Sequence, residues 1–321
     1  MNSSHLSRFL AVAFAFSAGL AHAQESNGTV RLLVGYSAGG ALDNVARAVA
    51  ERLRETLKQP VIVENKPGAT QRLALSEVKR AKADGLTLIL SNNAPFTIFP
   101  YIYPKLEFDP HKDFTPIGKV ANFDLGITAG PAAPAGGLKE FLAWAKARPG
   151  EAAYATSGAG TMSHFVGILL SKAGNVQLNH VPYKGGSQSL LDVTSGQLPI
   201  AIDTILESLE MYKAGKVRML ATTGATRSGI LPGVPTLKEQ GYDVVAEGFV
   251  GIYGPANMTA DKVQRITRAL NEALQSRDVQ KRIEAAAMSP AYASPSDFLA
   301  MQSAAAAKWK EVIQASGFTA E

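Results

Sequence analysis

From residue 30 to residue 222 the chain alternates short apolar runs with amphipathic stretches, and few folds accept that pattern. The runs are Val30 to Gly35, Val61 to Glu64, Leu86 to Ser91, Leu125 to Thr128, Ala152 to Thr156, Leu178 to Pro182, Pro199 to Asp203 and Arg218 to Thr222. Several are bounded by Gly, Asn or Pro, which suits strands buried on both faces. The stretches between and after them carry a 3.6-residue period. Leu42, Val45, Val49 and Leu53 form one stripe, and Leu138, Phe141, Leu142 and Ala145 a second. Val263, Ile266, Leu270 and Leu274 form a third, opened by Thr259 as N-cap. A last helix, capped by Ser294 with Pro295 in its first turn, places Phe298, Met301, Ala305 and Val312 on one face. All of these stripes read as core faces. Strands alternating with helices give an α/β fold, a parallel sheet covered by helices.

Two segments interrupt the alternation. "GKVANFDLGITAGPAAPAGG" follows the third strand–helix unit, and "VVAEGFVGIYGPANMT" leads into helices only. They divide the chain into a first lobe over 24–122, a second lobe over 123–249 and a return to the first over 250–321, with short strand-like hinges at the crossings. Residues 1–23 stand apart. One Arg precedes about 12 apolar residues, Phe9 to Leu20, and Ala21-His22-Ala23 forms an A-x-A cleavage site. A membrane span needs about 20 apolar residues, so this segment reads as a signal peptide and the mature chain as exported, not inserted in a membrane. With 46% hydrophobic residues the chain can fill the cores of two lobes. It has no cysteine, which rules out disulfides, thiolate metal ligands and a lipoprotein anchor. The net charge of +5 is scattered, without a Lys/Arg run, and argues against a nucleic-acid partner.

Gly35-Tyr36-Ser37-Ala38-Gly39 matches G-x-S-x-G, the nucleophile elbow of serine hydrolases. Position counts against an exported esterase using Ser37, because that elbow normally follows several strands and an earlier loop of the oxyanion hole. Here it follows the first strand, and no His occurs after His180. The glycine spacing fits neither a P-loop nor a dinucleotide fingerprint, and the five His show no metal-ligand spacing. What remains is a strand-to-helix turn in which Gly39 and Gly40 leave backbone N–H groups open at a helix N-terminus, an anion site. A tight turn that needs glycine explains one such motif equally well. "AAYATSGAGTMSHFVGILL" then repeats strand, glycine turn and helix in the second lobe, with Ser157-Gly158-Ala159-Gly160 as the turn and Thr161 as N-cap. Ligands of parallel α/β folds sit beyond the carboxyl ends of the strands, so two facing lobes would aim two helix N-termini into one cleft.

The ordered segments "VGYSAGGALDNVAR", "VIVENKPGA", "ADGLTLIL", "FDPHKDFTPI", "AKARPG", "YATSGAGTMSH", "HVPYKGG", "SGQLPIAID", "GKVRMLATT", "LPGVPTLKEQG" and "GPANMT" resemble the Bug family of extracytoplasmic solute receptors. The resemblance implies a type II periplasmic-binding-protein fold, two lobes with a ligand cleft between them. It implies a monomeric periplasmic protein without cofactor or metal, delivering a small carboxylate to the membrane permease subunits of a tripartite tricarboxylate-type transporter. A receptor that reports ligand occupancy to a signalling partner would need the same cleft. The first loop, Tyr36, Ser37, Ala38, Gly39 and Gly40 up to Asp43, and the second, Ser157, Gly158, Ala159, Gly160 and Thr161 up to His164, would hold the carboxylate through backbone N–H groups. Asp43, Asn93, His164, Tyr183 and Asp203 are further candidates, against which stand a first-turn acid favoured by the helix dipole for Asp43, a structural hydrogen bond for His164 and a loop-orienting role for Asp203. Departures from the family pattern are Ser37-Ala38 in the first loop, Thr70-Gln71-Arg72 after "KPGA", and Phe96 and Phe99 after the third strand. Two readings of Arg72 follow: a solvated side chain on the next helix, as surface Arg commonly is, or a guanidinium that grips a second acidic group across an apolar spacer lined by the two Phe.

Overall fold

The computed structural model describes residues 28–320, so the expected signal peptide lies outside the described residues. In chain order the strands are β1 (Val30–Val34), β2 (Val61–Asn65), β3 (Thr87–Asn92), β4 (Phe114–Ala129), β5 (Ala153–Thr156), β6 (Asn179–Pro182), β7 (Ile200–Thr204), β8 (Arg218–Thr222), β9 (Glu247–Pro255) and β10 (Ser289–Ala293). The helices are α1 (Ala41–Leu57), α2 (Arg72–Lys79), α3 (Ala94–Thr97), α4 (Phe99–Ile102), α5 (Leu138–Ala147), α6 (Met162–Gly174), α7 (Gly186–Thr194), α8 (Ile205–Lys213), α9 (Ala260–Gln275), α10 (Arg277–Ala285) and α11 (Pro295–Ser316). Each apolar run named from the sequence lies on a strand. The α1 stripe buries Val45, Val49 and Leu53, and the α5 stripe buries all four of its residues.

The last helix turns a different face inward. Phe298, Gln302, Ala306, Trp309 and Ile313 of α11 are buried, while Met301 is exposed. Gln302 belongs there because its Oε1 accepts the Tyr253 hydroxyl at 2.9 Å; a buried polar side chain with a partner displaces the expected apolar one. The segment expected as a mere hinge is also richer than the sequence suggests. β9 pairs antiparallel with both β3 and β4, and β10 pairs with β4 after helices α9 and α10, so helices alone do not complete the lobe. Three glycines disguise β9, since glycine weakens strand propensity. Two of them are required by packing against rings: a Cβ on Gly251 would come within 2.1 Å of the Phe298 ring, and one on Gly248 within 2.1 Å of Phe123.

β4 organises everything else. Its first half lies between β9 and β10, and its second half between β7 and β8, giving the order β2-β1-β3-β9-β4-β7-β5-β6. β3 runs antiparallel to β9 and β9 antiparallel to β4, so β1, β2 and β3 all point along β4. β5, β6 and β7 point against it. The carboxyl ends of the two strand sets therefore face each other. Asn92 at the end of β3 is level, through Val250, with Ala121, and Thr204 at the end of β7 with Leu125. Four residues of β4 separate those levels, roughly 13 Å at 3.3 Å per residue.

The chain crosses between the halves twice, at Leu125 and at Ala246, and buried Thr223 ties the crossings together. Its Oγ1 donates to the Ala246 carbonyl (2.6 Å) and accepts from the Leu125 N–H (3.0 Å). Among the described residues no helix is long and apolar enough to cross a membrane.

Candidate functional site

The first loop leaves β1 at Val34 and enters α1 at Ala41. Gly39 takes φ 86°, backbone that an L side chain rarely adopts, and Ser37 to Gly40 are exposed. Gly40 caps α1 with no side-chain hydrogen bond, and the N–H groups of a helix's first turn have no intrahelical acceptor. The loop thus presents donors and the positive end of the helix dipole together. Its shape is set from below by Asp43, which is 2% exposed. That carboxylate accepts from the Gly39 N–H, Arg47 Nε and Asn65 Nδ2, each at 2.9 Å. Burial works against its ionised form, but Arg47, Gly39 and Asn65 outweigh it and hold the carboxyl below its usual range. Asp43 therefore anchors the loop, and its oxygens are already occupied by protein donors.

The second loop is built on the same plan. The Ser157 N–H donates to Asp203 Oδ1 (3.0 Å), while Ser189 Oγ donates to Asp203 Oδ2 (2.6 Å). Burial pushes the Asp203 carboxyl up to about 6, against the opposing effect of those bonds. Thr161 caps α6 as the sequence indicates, accepting the His164 N–H at 3.3 Å while donating to the Gly158 carbonyl at 2.8 Å. Gly160, with φ 72°, gives its N–H to His164 Nδ1 at 3.2 Å. That leaves the proton of the neutral ring on Nε2. His164 stacks on His180, ring centroids 4.0 Å apart, and His180 Nε2 lies 2.7 Å from Thr156 Oγ1. Burial, and secondarily His164, lower His180 to about 4, and burial lowers His164 as well. Ile102 of α4 and Phe318 sit against Gly160, where a Cβ would come within 2.9 and 3.2 Å of them. The second loop thus touches elements that follow β3 and α11.

Tyr183 donates its hydroxyl to Asp192, and burial, with that carboxylate, pushes the phenol up to about 12. Asn93 is 2% exposed and gives its amide to Thr97 Oγ1. Its neighbour Asn92, the last residue of β3 and only partly buried, bonds the Tyr36 hydroxyl instead. Arg72 has partners of its own that a ligand acid would have to displace. Its guanidinium lies 4.4 Å above the Tyr103 ring, donates through Nε to the Ala69 carbonyl, and sits 3.4 Å from Glu107, so it is already engaged. Phe96 and Phe99 are likewise not lining residues. Phe96 is fully buried, stacked on Tyr253 with ring centroids 3.9 Å apart, and Phe99 is 2% exposed against Tyr103. Sequence reasoning missed Gln71 and Asn92, which together hold Tyr36; the alternation of side chains along β3 was the one available signal, placing residue 92 rather than 93 at the strand's mouth.

Two opposed strand sets, with a glycine turn and a helix N-terminus at each mouth, define a two-lobed solute receptor of the type II periplasmic-binding-protein fold. The chain belongs to the TctC family of tripartite tricarboxylate transporter family receptors, whose profile matches residues 45–318. Protein BugT of Bordetella pertussis (strain Tohama I) is 30% identical over 290 residues, covering 90% of this chain and 89% of BugT. The periplasmic binding protein BugD has a TM-score of 0.79 at 29% identity, covering 91% of this chain and 99% of BugD. An R. palustris protein solved with adipate has a TM-score of 0.82 at 27% identity, with 91% and 98% covered. These relatives are receptors and not enzymes, so Ser37 is a loop residue and not an esterase nucleophile.

Proposed function

We propose that this chain is exported to the periplasm, captures a small carboxylate between its two glycine loops, and presents it to the membrane permease subunits of a tripartite tricarboxylate-type transporter. One observation carries the reading: two loops at helix N-termini, each fixed from below by a buried aspartate, stand at strand ends that β4 turns toward one another. The backbone N–H groups of Gly40, Ala41 and Leu42 and of Ala159, Met162 and Ser163 supply the donors for one carboxylate group, with Tyr36 and His164 Nε2 as side-chain donors, while the Gly39 and Gly160 N–H groups are spent on Asp43 and His164 within the loops. Asp43 and Asp203 keep the loops in shape, and Tyr183 and Asn93 support their surroundings. Neither metal nor nucleotide takes part. The family's transporter role and the adipate held by a relative support a linear carboxylate as the cargo. The test is thermal shift and calorimetry of the mature chain against linear mono- and dicarboxylates of two to eight carbons, with the matching diamines as controls. Stabilisation by at least one acid and by no diamine is expected; the reverse, or no response to any acid, overturns the proposal.

A further inference from the structure

Three consecutive non-glycine residues, Ala69 (φ 43°), Thr70 (φ 52°) and Gln71 (φ 73°), hold left-handed backbone between β2 and α2. That region is disfavoured for every L side chain, and strained residues persist where the surrounding structure over-determines them. What this turn achieves is to drive the Gln71 side chain under the first loop. Gln71 has no exposed surface, and it lies so close to Gly35 that a Cβ there would come within 2.5 Å. Its Nε2 donates to the Tyr36 hydroxyl oxygen (3.2 Å) and to Asn92 Oδ1 (3.0 Å), while its Oε1 accepts from Ser91 Oγ (3.0 Å). Asn92 Nδ2 gives the Tyr36 oxygen a second hydrogen bond at 3.2 Å.

A phenol oxygen has two lone pairs and one proton. With both lone pairs taken by amide donors, and with the Gln71 and Asn92 oxygens occupied by other donors, the Tyr36 hydroxyl is left to donate. We propose that Gln71 is a positioning residue for ligand recognition: it makes Tyr36 a donor-only group at the mouth of β1, so that this wall selects a ligand oxygen acceptor and rejects a ligand donor. The inference rests on the carboxylate reading above, and adds to it a side-chain determinant that backbone donors alone do not supply.

The test uses the mature chain with 3-fluorotyrosine at position 36, and adipate as probe. Gln71→Met fills the volume without the amide; Gln71→Asn, a residue tolerant of left-handed backbone, is too short to reach Tyr36. Both variants, and Tyr36→Phe, should bind adipate about tenfold to a hundredfold more weakly, the scale of one hydrogen bond to a charged group. Gln71→Met combined with Tyr36→Phe should be no weaker than Tyr36→Phe alone, at a melting temperature within a few degrees of wild type. Fluorine NMR of the ligand-free protein should show the Tyr36 phenol titrating at higher pH in both Gln71 variants, since the phenolate loses a donor. Wild-type affinity in the Gln71 variants, additive losses, or an unmoved Tyr36 titration overturns the role of Gln71. If wild type binds no acid, the carboxylate reading fails, and the ligand-free titration still decides whether Gln71 sets the Tyr36 hydroxyl.

Discussion

Replacing Asp43 with Ala tests whether a buried carboxylate shapes the first loop. The side chain accepts three hydrogen bonds at 2.9 Å and is 2% exposed. The three are unequal. Arg47 has a side chain 47% exposed, so it returns to water on losing its partner, and its bond counts for about 0 to 1 kcal/mol. Asn65 keeps a second acceptor, the Tyr36 carbonyl at 3.1 Å, which softens its loss. The Gly39 N–H has none, and a hydrogen bond to a charged acceptor is worth about 1.5 to 3 kcal/mol. Release of the aspartate's own desolvation offsets part of the total, leaving a net destabilisation of about 2 to 3 kcal/mol. The Asp43 pKa is depressed in the folded chain, so this stabilisation is complete above the ordinary value of 3.8 and is lost as pH falls below it toward the folded value. Urea unfolding at pH 7 should show the full gap between wild type and Asp43→Ala, and the gap should shrink below pH 4. Adipate affinity measured by calorimetry should fall by at least tenfold, because an unanchored Gly39 no longer holds the loop's donors in place. A variant within about 0.5 kcal/mol of wild type and with unchanged affinity would refute the anchoring argument.

Two further outcomes follow from particular contacts. Arg72→Ala should leave the ranking of mono- and dicarboxylates unchanged in calorimetry and cost at most about 1 kcal/mol of stability, the scale of an exposed cation–π contact and ion pair; a lost dicarboxylate preference would return Arg72 to the cleft. His180 has a folded pKa of about 4 against an ordinary 6.5, so at pH 7 both folded and unfolded chains are neutral there, and stability falls between pH 6.5 and 4 as only the unfolded chain takes up the proton. His180→Gln should therefore gain on wild type by about 2 kcal/mol between pH 7 and 4.5 in chemical denaturation, and a pH-independent difference would contradict the burial of a neutral ring.

The sheet was legible because a strand buried on both faces must be apolar throughout, and Val30 to Gly35 or Leu86 to Ser91 admit little else. The two glycine loops were legible because they are local: strand, turn and helix are contiguous in sequence. β9 was not, since Gly251 and Gly248 admit the rings of Phe298 and Phe123 from distant parts of the chain. The α11 stripe was misjudged by one residue at Met301 because only the Tyr253 hydroxyl explains why Gln302 is inside. Arg72, Phe96 and Phe99 looked available because sequence shows residue type and not occupancy. Tyr103, Glu107 and Tyr253, which occupy them, are recognisable only once the chain is folded. Gln71 stayed hidden for a related reason, since nothing in a glutamine announces left-handed backbone.

The two-loop site is tested most directly by the backbone amide shifts of the ¹⁵N-labelled chain titrated with the tightest-binding acid of the carboxylate panel. Two loops closing on one carboxylate predict large shifts for Gly40, Ala41 and Leu42 and for Ala159, Met162 and Ser163, saturating together at one ligand per chain. Shifts confined to one loop, saturation at different concentrations, or a response centred elsewhere in the chain would contradict it.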